Sequence, residues 1–440
     1  MIKAAYPGCI ERTLNRPRGQ EYATMQDVST ESLTLPSVSP EVHDPLTDVL
    51  RRGARQMLIE AVEAETAAWI DEHAELRDAE GHRQVVRNGY ALPRTVVTGV
   101  GPMQITMPRV HDRRPEDERE RFTSKILPPY LRKARSIDEL IPWLYLKGIS
   151  TGGFSEALAA LLGPDCPGLS ATTVTRLVAT WQEQHSDWCK RDLSGKQYVY
   201  IWADGIHFNI RLEEDRQCIL VLMGATADGT KELIAVQDGY RESEQSWSAM
   251  LLDLKQRGLT VDPKLVTADG ALGFWAAARK LLPGVKEQRC WVHKTANVLD
   301  KLPKRLQSQA KDMLHQIWMA PTRRQAEQAF DLFLMTYEAK YPAAADCLRK
   351  DRDVLLTFYD FPAEHWAHLR TTNPIESTFA TVRLRHKKTK GNGSRRACLA
   401  MVFKLCQSTE KRWRRLNGHA LIPEVIAGVA FTDGEKTQAA

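Results

Sequence analysis

The sequence YIWADGIHFNIR, from Tyr200 to Arg211, has the composition of a buried β-strand because aromatic and β-branched residues dominate it. Asp204 stands in the middle of this stretch, between the apolar neighbours Trp202 and Ile206. Burial of a carboxylate among apolar side chains is unfavourable unless the charge is paired or bound to a metal. The stretch therefore predicts a strand whose aspartate has a functional role.

The elements that follow this strand predict an α/β fold. Two apolar runs flank Asp228-Gly229, which is a strong hairpin signal. A helix that Ser243 can cap comes next, then a short strand that ends at Asp269, a helix, a strand and a last helix. Three antiparallel strands followed by alternating helices and strands make a mixed sheet covered by helices, which is the order of the ribonuclease H-like fold.

The remaining segments divide the chain around this core. The predicted boundaries are a flexible leader at 1–43, an N-terminal α+β module for DNA binding or dimerisation at 44–120, a helical module at 121–195, the first part of the ribonuclease H-like core at 196–300, an all-helical insertion at 301–370, the last core helices with a basic loop at 371–416, and a C-terminal tail at 417–440. These boundaries follow changes of hydrophobic period and composition along the chain.

The helical module ends with the sequence LSATTVTRLVATW, which predicts a helix with a polar first turn. Thr172, Thr173 and Arg176 are expected to be exposed there, after a short helix and a short connection. This pattern resembles a helix-turn-helix, whose second helix reads the major groove of DNA. A plain helical bundle is the alternative interpretation, and the sequence leaves both open.

Two aspartates are predicted to meet at one place on the sheet. In a ribonuclease H-like sheet the first and fourth strands lie side by side, so Asp204 and Asp269 become neighbours although about 65 residues separate them. Two close carboxylates repel each other unless a cation lies between them. Carboxylate oxygens suit Mg²⁺ or Mn²⁺, and a site for two such ions needs a third acid.

Glu376 is the best candidate for the third acid because it begins the helix that returns to the sheet after the insertion. On that helix it shares a stripe whose other charged residues are all basic. A capping box is the alternative role, since Asn373 could cap the helix and Glu376 could complete the box. Three other acids stand beside glycine or proline and are better explained as turn residues: Asp228, Asp238 and Asp262.

A basic run, RLRHKKTKGNGSRR, continues from this helix into a loop that contains glycine. No acid interrupts the run. Basic residues beside a phosphodiester-cleaving site are expected to contact nucleic-acid phosphates, and a solvated surface is the alternative. The predicted DNA-binding residues of this region are Arg383, Arg385, Lys387, Lys388, Lys390, Arg395 and Arg396.

Three stretches of the chain resemble bacterial transposases of the Mutator superfamily, the family named after insertion sequence 256. They are WADGIHFNIR, VTADGALGFWAAARKLLPGVKEQRCWVHKTANVLDKLP and TTNPIESTFATVRLR, and the resemblance extends from about residue 44 to 415. It implies that Asp204, Asp269 and Glu376 form a DDE triad that binds two Mg²⁺ or Mn²⁺ ions in each active site. It also implies that the protein binds double-stranded DNA at the element's terminal inverted repeats, cleaves it there and joins the 3′-hydroxyl ends to target DNA. Because two ends must be brought together, a homodimer is expected.

The sequence Cys290-Trp291-Val292-His293 matches a motif that the family carries after the fifth strand. Taken alone, one Cys-x-x-His is only half of a structural zinc site, and no second pair is evident in the sequence. A packed thiol beside a hydrogen-bonded imidazole is the simpler interpretation. The resemblance favours a role beside the active site, on DNA or on the third acid, and these alternatives remain open.

The composition favours an ordinary globular protein: of 440 residues, 43% are hydrophobic and 26% are charged, and the net charge is +6. No apolar run is long enough to span a bilayer, and the first residues lack the apolar core of a signal peptide. Eight cysteines are scattered singly and do not suggest a disulfide framework. A bacterial cytoplasmic protein, nucleoid-associated when it binds DNA, is expected.

Two rival functions are a ribonuclease H-like nuclease without strand transfer and a non-catalytic, sequence-specific DNA-binding protein.

Overall fold

The computed structural model describes residues 45–149, 153–163, 166, 171–210, 216–239, 241–270, 272–388 and 394–437. The elements ahead of the central sheet are α1 (Pro45–Glu72), β1 (Val85–Tyr90), β2 (Arg94–Thr98), β3 (Gly101–Ile105), β4 (Pro108–Asp112), α2 (Arg135–Leu146), α3 (Phe154–Leu162) and α4 (Ala171–Cys189). The central elements are β5 (Tyr198–Phe208), β6 (Gln217–Thr226), β7 (Lys231–Gly239), α5 (Glu244–Gln256), β8 (Leu265–Ala268), α6 (Leu272–Leu281), β9 (Lys286–Arg289) and α7 (Trp291–Leu299). The later elements are α8 (Lys304–Trp318), α9 (Arg323–Tyr337), α10 (Pro342–Arg349), α11 (Arg352–Leu355), α12 (Trp366–Leu369), α13 (Asn373–Lys388), α14 (Arg395–Glu410), α15 (Ile422–Ala427), β10 (Phe431–Thr432) and β11 (Glu435–Lys436).

The central sheet is mixed and has the strand order β7-β6-β5-β8-β9. β5, β6 and β7 pair antiparallel, whereas β8 is parallel to both β5 and β9. Gly229 has a φ of 84° in the turn between β6 and β7, a conformation that favours glycine. The predicted hairpin at Asp228-Gly229, the α/β class and the adjacency of the first and fourth strands are confirmed.

The two faces of the central sheet are covered by different helices, and side chains alternate between the two faces along β5. Ile201 and Ala203 pack in one apolar cluster with residues of α5 and α6, such as Trp247 and Phe274. The other face carries Trp202, Ile206 and Phe208, which pack in a larger cluster with residues of α13 and α14. Burial on both sides explains why β5 contains so many apolar residues.

Residues 301–370, which the structure describes completely, contain helices and the 3-10 turns Thr357–Asp360 and Ala363–His365 but no strand. Many of their apolar side chains, including Leu314 of α8, Phe330 of α9 and Leu355 of α11, are fully buried. These residues belong to the same cluster as the face of the sheet that carries Trp202. The helical segment therefore extends the core of the sheet.

The N-terminal part of the described chain combines a long helix with short strands. β2 and β3 form an antiparallel hairpin, and β1 pairs with β4. α1 is 28 residues long and buries Val62 against this region, whereas Leu46, Leu50 and Met57 are exposed. Neither α1 nor any other helix in the described ranges is long and apolar enough to cross a membrane.

The helices α2, α3 and α4 enclose a small apolar cluster that includes Ile141, Phe154 and Val174. The connection between α3 and α4, on which the helix-turn-helix interpretation depends, lies mostly outside the described residues. The C-terminal half of α4 packs on the central domain, where Nε2 of His185 lies 2.8 Å from the carbonyl oxygen of Val236 in β7.

Candidate active site

Asp204 lies in the apolar interior of β5, as the sequence predicts. It is on the same face of the strand as Trp202 and Ile206, and it is only 5% exposed. Its Oδ1 accepts a hydrogen bond from the N–H of Gly205 at 2.8 Å. Burial raises the pKa of Asp204 to about 7, the imidazole of His293 opposes this rise, and two other carboxylates add to it. The position is therefore unfavourable for a charged aspartate without a nearby cation.

Asp269 reaches the same place because of the strand register. Ala203 of β5 pairs with Ala268 of β8, so Asp204, the next residue of β5, lies beside Asp269, the residue that follows β8. The indole Nε1 of Trp275 donates a hydrogen bond to the carbonyl oxygen of Asp269 at 2.9 Å, which ties the end of β8 to α6. Carboxylate oxygens of the two aspartates lie within 4.8 Å of each other. The predicted meeting of the two aspartates is confirmed.

His293 connects the aspartates to the third acid. One of its ring nitrogens lies within 4.8 Å of the carboxylate oxygens of Asp204 and Asp269, and its Nε2 is 3.5 Å from Oε1 of Glu376. Burial alone lowers the pKa of His293, but a hydrogen bond with Cys290 and the negative charges of Asp204 and Glu376 raise it to about 9. A positively charged imidazole therefore stands among three carboxylates that come from separate segments of the chain.

Glu376 does not form the capping box that the sequence allows. α13 begins at Asn373, and the N–H of Asn373 donates to Oγ1 of Thr371 at 3.4 Å rather than to Glu376. The hydroxyl of Thr372 lies 3.1 Å from Oε1 of Glu376 and donates to it. The N–H of Glu376 donates to the carbonyl oxygen of Thr372 at 3.0 Å. The capping-box alternative is wrong, and the carboxylate is held at the first turn of α13 beside His293.

Cys290 contacts the residue that holds Glu376. It is fully buried between β9 and α7, and its sulfur accepts a hydrogen bond from the N–H of Thr372 at 3.3 Å and lies 3.3 Å from the hydroxyl oxygen of Thr372. Oγ1 of Thr372 also lies 3.5 Å from Nδ1 of His293. These contacts place both motif residues beside Thr372, and Cys290, His293 and Glu376 offer ligand atoms within 4.8 Å of one another. Of the roles that the sequence leaves open, they favour support of the third acid.

The three acids offer donors that fit a hard divalent cation. Asp204 and Asp269 supply carboxylate oxygens from the sheet, and Glu376 supplies them from α13. Oxygen ligands of this kind bind Mg²⁺ and Mn²⁺. Within the protein, the positive charge of His293 balances part of the negative charge of these acids. A bound divalent cation would balance more of it.

The predicted DNA-binding residues occupy different environments. Five of them are exposed, namely Arg383 and Lys387 on α13, Arg396 on α14, and Thr172 and Arg176 on α4, while Thr173 is partly buried. Lys388 ends α13, and Lys390 lies outside the described residues. The guanidinium of Arg395 donates two hydrogen bonds to the carboxylate of Asp238, at 3.1 and 2.9 Å. The exposed members remain available for contacts with phosphate.

Arg385 differs from the prediction because it is buried. It is 2% exposed, and its Nε donates a hydrogen bond to the carbonyl oxygen of Tyr145 at 2.6 Å. Its guanidinium carbon lies 4.4 Å from the centroid of the Tyr145 ring. Arg385 therefore ties α13 to α2 and does not face solvent where a phosphate could bind.

One acid near the site, Glu242, is not identified by the sequence reasoning. Its Oε1 lies 3.2 Å from Nε2 of His207, and these two residues form a group with the thiol of Cys218. Burial raises the pKa of Glu242, and the charge of Asp269 raises it further. Glu242 precedes the helix cap Ser243, so no helical or strand periodicity reveals it.

The family described as "Transposase, Mutator family" matches residues 25–416. The chain belongs to the Mutator family of transposases. The resemblance inferred from the three stretches of sequence is confirmed.

Transposases of bacterial insertion sequences are similar to this chain over most of their own length. The transposase for insertion sequence element IS6120 of Mycolicibacterium smegmatis is 51% identical over 298 residues, which cover 68% of this chain and 92% of that protein. The transposase for IST2 of Acidithiobacillus ferrooxidans is 49% identical over 286 residues, covering 63% and 94%. The transposase for IS256 in transposon Tn4001 of Staphylococcus aureus is 28% identical over 313 residues, covering 70% and 76%. The predicted function as an insertion-sequence transposase is confirmed.

Proposed function

We propose that this Mutator-family transposase cleaves DNA at the ends of its insertion sequence and joins the 3′-hydroxyl ends to target DNA at Asp204, Asp269 and Glu376. The observation that carries the proposal is the convergence of these three acids around His293. The order and directions of the central strands, which match the ribonuclease H-like fold predicted from the sequence, support it.

The three acids are proposed to hold two Mg²⁺ or Mn²⁺ ions in each active site. Held there, the ions would supply Lewis acidity for activation of the nucleophile and for stabilisation of the leaving 3′-oxygen. Asp204 and Asp269 supply ligand oxygens from adjacent strands, and Glu376 supplies them from α13. This role explains why an apolar strand contains an aspartate, because a cation removes the unfavourable burial of its charge.

The protein's own groups prepare this site before DNA binds. The sulfur of Cys290 accepts the backbone N–H of Thr372, and the hydroxyl of Thr372 donates to the carboxylate of Glu376. His293 balances part of the negative charge of the acids. Water is the nucleophile of the cleavage step, which releases a 3′-hydroxyl, and that hydroxyl attacks a target phosphodiester in the joining step. Neither step requires a covalent bond between DNA and the enzyme.

The proposal also assigns a role to each segment of the chain. Residues 196–300 and 371–416 form the ribonuclease H-like core, and the helical insertion lies between them. The exposed basic residues Arg383, Lys387 and Arg396 contact phosphates, and the helical module around Arg176 reads the terminal inverted repeats. A homodimer brings the two ends of the element together. The protein acts in the bacterial cytoplasm, at the nucleoid while it is bound to DNA.

The decisive experiment incubates the full chain with Mg²⁺ and DNA that carries the element's ends and a target plasmid, then maps cut and joined ends by sequencing. Cut ends together with 3′-ends joined to the target are expected. Cuts without joined products, even from pre-cut ends, would identify a nuclease without strand transfer. Specific binding without Mg²⁺-dependent nicking would identify a non-catalytic DNA-binding protein.

A further inference from the structure

Glu242 lies between the two chain segments that carry the active-site aspartates. Its carboxylate packs over Gly205, the residue that follows Asp204, and a Cβ at Gly205 would overlap Oε1 of Glu242. Its carbonyl oxygen packs against Gly273 in the first turn of α6, and a Cβ there would overlap that oxygen. Since α6 follows Asp269 closely in the chain, Glu242 contacts both segments at positions where only glycine permits so close an approach.

The backbone on either side of Glu242 is held in a defined conformation. Arg241, immediately before it, has a φ of 60°, in the left-handed region that residues other than glycine rarely adopt. Such strain persists only where the surroundings impose it, and it occurs most often at functional sites. Ser243, immediately after it, caps α5 by accepting the N–H of Ser246 at 3.2 Å. The position of Glu242 is therefore fixed from both sides.

The charge of Glu242 adds to the negative charge of the site. Its side chain is only 19% exposed, and His207, whose Nε2 lies 3.2 Å from Oε1, is its closest basic partner among the described ion pairs. The charge of Asp269 acts against the ionised form of Glu242, in addition to the effect of burial. An acid buried beside another acid destabilises the fold, and a cation that attracts both acids removes this penalty.

We propose that Glu242 is a positioning acid of the catalytic centre, which strengthens divalent-cation binding from beside Asp204 and Asp269. This inference rests on the proposed function. Within the described residues, Glu242 is not part of the group of atoms within 4.8 Å that Asp204, Asp269 and His293 form. It therefore acts on the ligands without being one of them. It holds the segments of Gly205 and Gly273 together, and its charge attracts the cation.

Binding of Mn²⁺ to the full chain, measured by electron paramagnetic resonance of the free ion, tests this role without using activity. Glu242→Gln keeps the shape of the side chain and removes its charge, whereas Glu242→Asp keeps the charge on a shorter side chain. Glu244→Gln is the matched control, because Glu244 begins α5 two residues later and pairs with Lys280 of α6. Melting temperatures in EDTA report the fold of each variant without metal.

Glu242→Gln is expected to bind Mn²⁺ about 10–100-fold more weakly than the wild type, the effect typical of losing a group that supports metal ligands. Its melting temperature in EDTA is expected to be no lower than that of the wild type, because the amide has no charge to bury beside Asp269. Glu242→Asp is expected to regain part of the affinity, and Glu244→Gln to bind like the wild type. Wild-type affinity in Glu242→Gln would overturn the inference. If Glu242→Gln has a lower melting temperature than the wild type, the Mn²⁺ affinity of Glu242→Asp is the deciding measurement. An equal loss of Mn²⁺ affinity in both variants would contradict a role for the charge.

The same measurements separate this inference from the proposed function. A wild-type chain that binds no Mn²⁺, or an Asp204→Asn variant that binds it as tightly as the wild type, would reject the metal centre itself. If the wild type binds Mn²⁺, Asp204→Asn does not, and Glu242→Gln is unaffected, only the role of Glu242 is rejected.

Discussion

Ala203 of β5 and Ala268 of β8 are direct partners in the parallel part of the central sheet. Because side chains alternate along a strand, the residues that follow them, Asp204 and Asp269, are directed to the same side of the sheet. The register thus brings together two carboxylates that lie far apart in the sequence. Since this geometry depends on backbone pairing, substitutions that keep the shape of either side chain should change the chemistry and spare the fold.

The first prediction concerns the two aspartates. Asp204→Asn and Asp269→Asn are each expected to abolish Mg²⁺-dependent cleavage and the rise in melting temperature that Mn²⁺ gives the wild type. In EDTA, Asp204→Asn should melt no lower than the wild type, because the amide has no charge to bury. The double variant should be no worse than either single variant, since both residues serve one site. Gel assays and calorimetry measure these effects, and metal-dependent cleavage by either single variant would contradict the assignment.

The second prediction concerns Glu376. The side-chain oxygen of Gln can accept the same hydrogen bond from Thr372, so Glu376→Gln should keep its melting temperature and its DNA affinity. A neutral amide is a poor ligand for a hard cation, and the variant should neither cleave nor join DNA. Asn373→Ala is the control for the capping box. If Asn373 and Glu376 formed that box, this variant would lose about 0.5–2 kcal/mol of stability. Near-normal cleavage by Glu376→Gln would remove it from the triad.

The aspartates could be predicted from the sequence because strand periodicity is local and the order of elements fixes which strands are neighbours. β5 is apolar on both faces, so Asp204 stands out against its surroundings. Asp269 stands at the end of a short strand that must lie beside β5 in this topology. The positions of both aspartates could therefore be inferred without knowledge of side-chain contacts, and the structure agrees with them.

Arg385 and Glu242 could not be placed in the same way. Helical spacing shows which residues of α13 share a stripe, but not that α2 covers Arg385, whose partner Tyr145 lies 240 positions earlier. Glu242 has no periodic context, and its position depends on close packing against Gly205 and Gly273. Contacts that are possible only because glycine has no side chain leave no hydrophobic pattern in the sequence.

The third prediction separates an exposed basic residue of α13 from a buried one. Lys387→Glu should weaken binding to all DNA sequences and reduce the slope of log affinity against log salt by about 1, as expected for one lost phosphate contact. Arg385→Met should instead lower the free energy of unfolding by about 1–3 kcal/mol, because the hydrogen bond from the charged guanidinium to the carbonyl oxygen of Tyr145 is lost. Fluorescence anisotropy at several salt concentrations and urea unfolding measure the two effects. An unchanged salt slope for Lys387→Glu would assign that residue to a solvated surface.

The fourth prediction asks whether α4 reads sequence. Arg176 is exposed in the second turn of α4, so Arg176→Ala should weaken binding to the element's ends by about 1–3 kcal/mol if it contacts a base. Its affinity for random DNA should fall much less. Gln184→Ala, two turns further along the same helix and also exposed, is the control. Equal losses on both kinds of DNA would show that Arg176 contacts only phosphate, and no loss on either would leave α4 as part of a plain bundle.

The fifth prediction tests the support of the third acid by Thr372, whose hydroxyl lies 3.1 Å from Oε1 of Glu376 and 3.3 Å from the sulfur of Cys290. Thr372→Val keeps the shape of the side chain and removes the hydroxyl, so Glu376 loses the group that orients it. Cleavage is expected to fall about 10–100-fold and to require more Mg²⁺, as when a supporting group of a metal ligand is lost. DNA affinity should stay unchanged, because Thr372 is buried and distant from solvent. Thr372→Ser, which keeps the hydroxyl, should retain most of the cleavage. If Val and Ser variants lose activity equally, the methyl group and its packing matter, and the hydroxyl does not hold Glu376.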